Sequence, residues 1–343
     1  MMVKEVLLNK FSFLRGGARR LRSRTRKLLQ NIVRVLAANS LLRKWLNAMY
    51  ARLTSSQRVS FHRRFARIFR REHQRVTPGF WSVEFLGQQI QLPLRREWFW
   101  LDWDSAVSIV GHDIEVKESY ASLISSPKPP ELFVDIGANY GTHSLLFLVH
   151  KIDAITFEPN ISCHEYFQEI CALNGVEPRI EGVALGHCNS YVELWYPDGD
   201  TWLGSTDASV KRKLEVEHKL TIQRVEQKIV DDYLAEFGNR RILIKIDTEG
   251  NEYQILQGAR NTLQRNRPMV IFESWRGEGR RKVFDLFISH DYRIAHLPWI
   301  QDKPVHLSDL TKFLDSPATN FMAVPEETRY GYRTPAEVYR ASD

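Results

Sequence analysis

Apolar positions in this chain follow two periods, and the change from one to the other divides it. Between residues 28 and 53, Leu29, Ile32, Val33, Leu36, Leu42, Trp45, Leu46, Met49 and Leu53 recur at helical spacing, with Arg34, Arg43, Lys44 and Arg52 off the stripe. A second run sets Phe61, Phe65, Ile68 and Phe69 among Arg58, Arg63, Arg64, Arg67, Arg70 and Arg71. Thr77-Pro78-Gly79 punctuates the chain there. Residues 81–94 then alternate and predict a hairpin around Leu86-Gly87-Gln88, while 109–124 predict a short strand or turn leading into a helix.

After the linker Ser125-Ser-Pro-Lys-Pro-Pro130, short apolar runs alternate with amphipathic ones. The pattern predicts strands at 132–138, 153–158, 178–186, 190–196, 219–229, 241–247, 268–274, 292–297 and 319–324. Helices are predicted at 142–150, 162–173, 230–237, 251–264 and 279–290. Such alternation implies an α/β fold, a Rossmann-like, mostly parallel sheet with helices on both faces, preceded by a basic α-helical N-terminal extension. Four segments result: 1–77 as the basic extension, 78–130 as a hairpin and aromatic lead-in, 131–326 as the α/β domain and 327–343 as a tail.

Charge sharpens this division. Residues 1–75 hold 20 Lys and Arg against Glu5 and Glu72, a net +18, whereas the remainder carries −11. Three cysteines, Cys163, Cys171 and Cys188, with no Cys-x-x-Cys and no clustered His, imply a reducing compartment and no zinc site. The longest uncharged stretch, 136–150, is too short and too polar to span a bilayer. The start lacks an apolar signal core, so a cytoplasmic location follows, with an Arg-rich organelle transit peptide as the competing reading.

The candidate chemistry lies in Asp135-x-Gly137-x-x-x-Gly141, a loop between a strand and a helix. Its spacing differs from the Gly-x-Gly-x-x-Gly that wraps a pyrophosphate and implies a nucleoside ligand without phosphates, which S-adenosylmethionine fits. Gly137 and Gly141 would let the backbone approach the methionine part, and Asp135 suits its ammonium. Glu158, 17 positions after Gly141 at the end of the next strand, is placed to accept both ribose hydroxyls. Lys245 and Asp247 share one face of an otherwise apolar strand, so the lysine needs an anion from among Asp247, Glu249, Glu252 and Glu273. Acids at 249 and 252 could equally cap the following helix.

Val134-Asp-Ile-Gly-Ala-Asn-Tyr-Gly141, Phe157-Glu-Pro159, Val183-Ala-Leu-Gly186, Ile244-Lys-Ile-Asp-Thr-Glu-Gly-Asn-Glu252, Pro268-x-x-x-x-Glu273 and Asn320-Phe-Met-Ala-Val324 together resemble the FkbM-type family. That family belongs to the class I S-adenosylmethionine-dependent methyltransferases. The resemblance implies that fold for 131–326, S-adenosylmethionine as cofactor, and methylation of a hydroxyl on a sugar, glycolipid or related metabolite. It implies cofactor contacts from Asp135, Gly137, Asn139, Gly141, Glu158, Pro159 and Ala184. For proton removal Asp247 is the first candidate, with Glu249 and Glu273 as partners and His143 as the outsider; no metal is assigned. His290-Asp-Tyr292 departs from a usual Gly-Tyr turn, and residues 1–80 lie outside the resemblance.

Two aromatic groups are candidates for a carbohydrate: Trp81, Trp98, Trp100 and Trp103 before the domain, and Trp195, Tyr196 and Trp202 beside the loop 197–210, which is the better acceptor-recognition element. The basic arm suits an anionic membrane surface and a lipid-linked glycan acceptor. Nucleic acid would use the same charge, but the acidic body repels a polyanion. Transfer to nitrogen or to a protein side chain, and a non-catalytic membrane-docking protein of the same fold, are the alternatives.

Overall fold

The computed structural model describes residues 79–94, 113–197, 204–217, 219–300, 306–307 and 309–326, with scattered positions between 28 and 60. The basic extension as an element, Trp98, Trp100, Trp103, Trp202, the side chain of Trp81 and the tail 327–343 lie outside the described residues. Strands β1 (Gly79–Phe85) and β2 (Gln88–Leu94) form the expected hairpin. Leu86 and Gly87 turn it with φ of 48° and 79°, the left-handed pair that matches strand twist in a two-residue loop.

The α/β domain opens with helix α1 (Ile114–Ile124), then β3 (Leu132–Ile136), α2 (Thr142–Leu148), β4 (Asp153–Phe157), α3 (His164–Leu173) and β5 (Ile180–Glu181). Next come β6 (Ala184–Leu185), β7 (Ser190–Pro197), α4 (Ala208–Glu217), β8 (Leu220–Lys228), α5 (Leu234–Phe237) and β9 (Ile242–Ile246). Helices α6 (Glu252–Gln257) and α7 (Arg260–Arg265), β10 (Met269–Glu273), α8 (Glu278–Ser289), β11 (Tyr292–His296), α9 (Leu310–Asp315) and β12 (Asn320–Pro325) complete it.

Seven strands form one sheet in the order β11-β12-β10-β9-β3-β4-β5. Pairs from β10 through β9, β3 and β4 to β5 are parallel, and only β12 runs antiparallel to its neighbours. This is the class I methyltransferase fold, and the mostly parallel sheet expected from the sequence is the one observed. Strands β6, β8 and β7 make a separate three-stranded sheet, so the run expected as one strand over 178–186 belongs to two sheets.

Three details differ from expectation. The helix expected over 251–264 breaks into α6 and α7 at Gly258 and Ala259, where the backbone leaves helical geometry. The helix expected over 230–237 begins as a 3₁₀ turn, Val230–Tyr233. Part of the loop expected over 197–210 is the first turn of α4. In the turn before β11, Asp291 adopts φ 59°, so the backbone conformation that favours glycine is kept without one.

The two faces of the large sheet differ, and that difference places the site. Val134, Ile136, Ile244, Ile246, Val270 and Phe272 point to one face and form a continuous core with Phe237, Ile255, Leu256, Leu263 and Phe287. Alternate positions point the other way. There the register sets Thr156, Asp135, Lys245 and Ile271 side by side across four strands. Tyr120 of α1 closes this face by packing edge-on against Phe133 and Phe147, whose rings stack at 3.9 Å. Helix α1 reaches across the sheet: Asn320 of β12 donates to Glu115, and the Trp299 amide donates to Ser119 Oγ at 2.8 Å.

Beyond the C-terminal end of β10, Arg280 is 1% exposed and donates to the carbonyls of Ser274, Phe313, Leu314, Ser316 and Ala318. One guanidinium thus satisfies the backbone of two chain segments, the end of β10 and the stretch 313–318, beside the strand that carries Glu273. Arg280→Met should remove about 3–5 kcal/mol of stability, because several buried carbonyls lose their donor together. Urea unfolding of the full chain measures this, and Arg280→Lys, with a point-like ammonium, should recover less than half of the loss.

Candidate cofactor and acceptor site

At the C-terminal ends of β3 and β4 the chain builds a cradle of backbone amides around one carboxylate. Glu158 is 8% exposed and accepts from the Asn139 amide at 2.6 Å and the Asn160 amide at 2.8 Å. Burial pushes its pKa up to about 7 even though those two amides pull the other way. Asn139 enters the left-handed region at φ 49°, which turns its amide toward Glu158, and its Oδ1 accepts from the Cys163 thiol.

The loop glycines are fixed by packing. A Cβ on Gly137 would lie 2.0 Å from the Asp247 carbonyl, and one on Gly141 would lie 2.3 Å from the Phe167 ring. Both also have positive φ, 76° and 65°. Beside the expected close approach to a ligand stand two internal reasons: Gly137 lets β3 and β9 end side by side, and Gly141 seats α2 against α3. The Asp247 amide donates to the Ile136 carbonyl at 3.1 Å and seals the first junction.

Asp135 is wholly buried and accepts from Ser144 Oγ at 2.9 Å, while Ser144 accepts from Thr156 Oγ1 at 2.8 Å. Burial raises its pKa, opposed by Lys245 and by the Ser144 hydroxyl. Lys245 is 4% exposed and donates to Asp247 Oδ2 at 3.0 Å. Burial works against its charge, but Asp247 and Asp135 outweigh that and raise its pKa.

Asp247, Glu249 and Glu273 converge, each offering an oxygen within 4.8 Å of the others. Burial first, then Asp247 and Glu252, pushes Glu249 up to about 7; burial, Asp247 and Glu249 push Glu273 up to about 9. Near neutral pH the cluster therefore holds protons. These three carboxylates are also a donor set that could hold one divalent cation. Glu252 stands apart from them: its Oε1 accepts from the amides of Thr248 and Gly250 and from Thr248 Oγ1, so it caps the loop before α6.

The other sequence-derived candidates divide. His143 lies beside the site with both ring nitrogens engaged, Nδ1 at 2.9 Å from Tyr120 Oη and Nε2 at 3.4 Å from Lys117 Nζ. Pro159 is half-buried between Glu158 and Asn160. The Ala184 side chain packs on Leu194 and Val225 in the small sheet. Trp195 is buried under Lys211 in that sheet. The end of the loop meets the acidic turn, since Ser205 Oγ donates to the Glu249 carbonyl and Asn251 donates to Thr206 Oγ1. Sequence reading misses Lys117, Tyr120, Ser144 and Thr156, which only the tertiary fold brings here. It also misses Trp275, 58% exposed two residues beyond Glu273, although its proximity to that glutamate in the chain was a usable signal.

Residues 135–294 match the family model described as the Methyltransferase FkbM domain. These residues are a methyltransferase FkbM domain of the class I type. S-Adenosylmethionine is the methyl donor of such domains, and the residues present fit it: Glu158 for the ribose, and buried Asp135 Oδ1 and Asn160 Nδ2, which have no hydrogen-bond partner among the described residues.

Among solved structures the chain resembles methyltransferase FkbM from Methylobacillus flagellatus KT at 14% identity and a TM-score of 0.36, over 66% of this chain and 54% of that one. It thus spans about half of that protein's length. A SAM-dependent methyltransferase from Agrobacterium tumefaciens is similar at 11% identity and a TM-score of 0.34, over 71% of this chain and 69% of that one. A T. thermophilus 16S rRNA methyltransferase in complex with AdoMet and guanosine is similar at 10% and 0.36, over 73% and 51%. Likenesses of this size add nothing to the assignment. No curated protein matches the chain.

If Glu158 accepts the ribose hydroxyls, its ionised form must bind tighter. S-Adenosylmethionine affinity should then rise about tenfold between pH 6 and pH 8, as a carboxyl with a pKa near 7 loses its proton. In the absence of ligand the sign is opposite: the raised pKa contributes stability at low pH that is lost as pH climbs through 7. Calorimetric titration at several pH values tests this, and Glu158→Gln should bind weakly with no such slope.

Proposed function

We propose that this protein transfers the methyl group of S-adenosylmethionine to a hydroxyl of a sugar, glycolipid or lipid-linked saccharide. The observation that carries this reading is the convergence of Asp247, Glu249 and Glu273 at the ends of β9 and β10, adjoining the strand ends that bear Asp135 and Glu158. When bound, the cofactor supplies an electrophilic methyl on a sulfonium. Glu158 and Asp135 hold and orient it, and the seal between Gly137 and Asp247 fixes the distance from there to the acidic cluster.

An acceptor hydroxyl must lose a proton as the new bond forms. Asp247, held by Lys245, is the carboxylate of the cluster that takes it, while Glu273 retains its proton, Glu249 is protonated in part near neutral pH, and both can donate hydrogen bonds to neighbouring hydroxyls. A site with one proton acceptor and two donors suits a polyol better than an amine, which needs little help from a base. Trp275, exposed beside Glu273, offers a flat face on which a sugar ring can stack. The basic arm serves to dock the enzyme at an anionic membrane. Ile32, Trp45 and Met49 of its apolar stripe are helical and exposed, and among the described residues no helix is long and apolar enough to cross a membrane.

Transfer of radiolabelled methyl to a panel of saccharides, glycolipids and lipid-linked saccharides tests the reading. Label appearing only on protein or amines would sink it. With an acceptor in hand, Asp247→Asn should lower kcat by about 10²–10⁴-fold, because the base is gone. Glu273→Gln should stay within about fivefold, since a neutral amide replaces an acid that is already protonated. A cation-holding cluster gives a different pattern, in which Glu273→Gln is as damaging as Asp247→Asn and EDTA abolishes turnover.

A further inference from the structure

Helix α1 precedes the matched residues 135–294, yet it places a buried lysine against His143, just past the glycine loop. Lys117 is 6% exposed. Its Nζ lies 3.4 Å from His143 Nε2, and Tyr120, one turn further along the same helix, puts its hydroxyl 2.9 Å from His143 Nδ1. The triad is held rigidly, with Tyr120 wedged against Phe133 and Phe147 and edge-on to the His143 ring.

An ammonium donates and never accepts. His143 Nε2 must therefore carry the lone pair, Nδ1 must carry the hydrogen, and that hydrogen is donated to Tyr120 Oη. Both nitrogens are then spent inside the fold. Charged and titratable groups face Lys117 from each element around it: Asp113 and Glu115 from the start of its own helix, His143 from α2, and Lys245 and Asp247 from β9.

We propose that Lys117 is a positioning residue of methyl transfer, outside the family match: it locks His143 as the Nδ1–H tautomer, withdraws it from base duty, and joins Lys245 in facing Asp247 with positive charge. The consequence for the reaction rests on the hydroxyl-methylation reading, but the tautomer does not. Positive charge from two lysines then faces the acidic cluster. Burial, partly offset by Asp113, lowers the Lys117 pKa to about 8, so the lock holds at neutral pH and relaxes in mildly alkaline solution, where the neutral amine can accept as well as donate.

The test is nitrogen–proton NMR of the full chain labelled with ¹⁵N-histidine, with His143→Gln identifying the signal. The expected wild-type result is a single Nδ1–H tautomer of His143 from pH 6 to 7.5, changing near pH 8. Lys117→Met should give mixed tautomers and no step at pH 8, and Lys117→Arg should restore the single tautomer and push the step out of range. Nε2–H in the wild type, or an unaltered tautomer in Lys117→Met, overturns the proposal; should that variant not fold, the wild-type titration and Lys117→Arg decide.

Turnover supplies the second readout. With an acceptor from the saccharide panel, Lys117→Met should lower kcat about tenfold at unchanged S-adenosylmethionine affinity, and Lys117→Arg should recover it. An unchanged kcat would remove the positioning role. The tautomer lock observed in a chain that methylates no hydroxyl would leave Lys117 as described and would reject the acceptor reading instead.

Discussion

A lysine in the middle of a parallel sheet is the constraint from which the site follows. Lys245 belongs to a strand whose other residues are Ile, Leu, Ile and Ile, and every position of that strand is buried. An ammonium there needs anions on its own face of the sheet, and the register supplies Asp135 on the neighbouring strand and Asp247 two residues on. Those two aspartates stand at the C-terminal ends of adjacent strands, where an open α/β sheet binds its ligands. In the proposed reaction the cofactor end and the acceptor end are thereby built from one buried charge group.

Electrostatics across this group is uneven by construction. Two lysines, Lys117 and Lys245, lie among Asp113, Asp135, Asp247, Glu249 and Glu273. Burial leaves Glu273 to hold a proton near neutral pH and Glu249 to share one with solvent, while Asp247 has a direct ammonium partner. Chemically similar carboxyls are thus given different environments by their neighbours, and the proposed reaction uses that difference for acid and base roles near neutral pH.

Much of this was readable from the chain because its cause is local. A strand-sized apolar run, a glycine loop and a terminal carboxylate are each written within ten residues, so the α/β fold, its strands, and Asp135, Glu158 and Asp247 as candidates came from pattern alone. The reasons were less legible. Gly137 is small because of Asp247, 110 positions away, and Gly141 because of Phe167. The break between α6 and α7 follows from Gly258, whose Cβ would strike the Gly186 carbonyl at 2.1 Å. Lys117 and Tyr120 looked like ordinary helix positions until the fold set them beside His143, and Glu252 separated from Glu249 only once the loop amides had claimed it. Residues whose role depends on distant backbone leave no periodic trace.

Thermal unfolding of the full chain with S-adenosylmethionine, S-adenosylhomocysteine or ATP tests the central claim most directly, namely that these strand ends hold a phosphate-free nucleoside bearing an amino-acid end. At a hundredfold excess over Kd, either adenosyl ligand should add about 2.7 kcal/mol to stability and ATP should add none. Stabilisation by ATP, or by none of the three in a folded protein, would contradict the account.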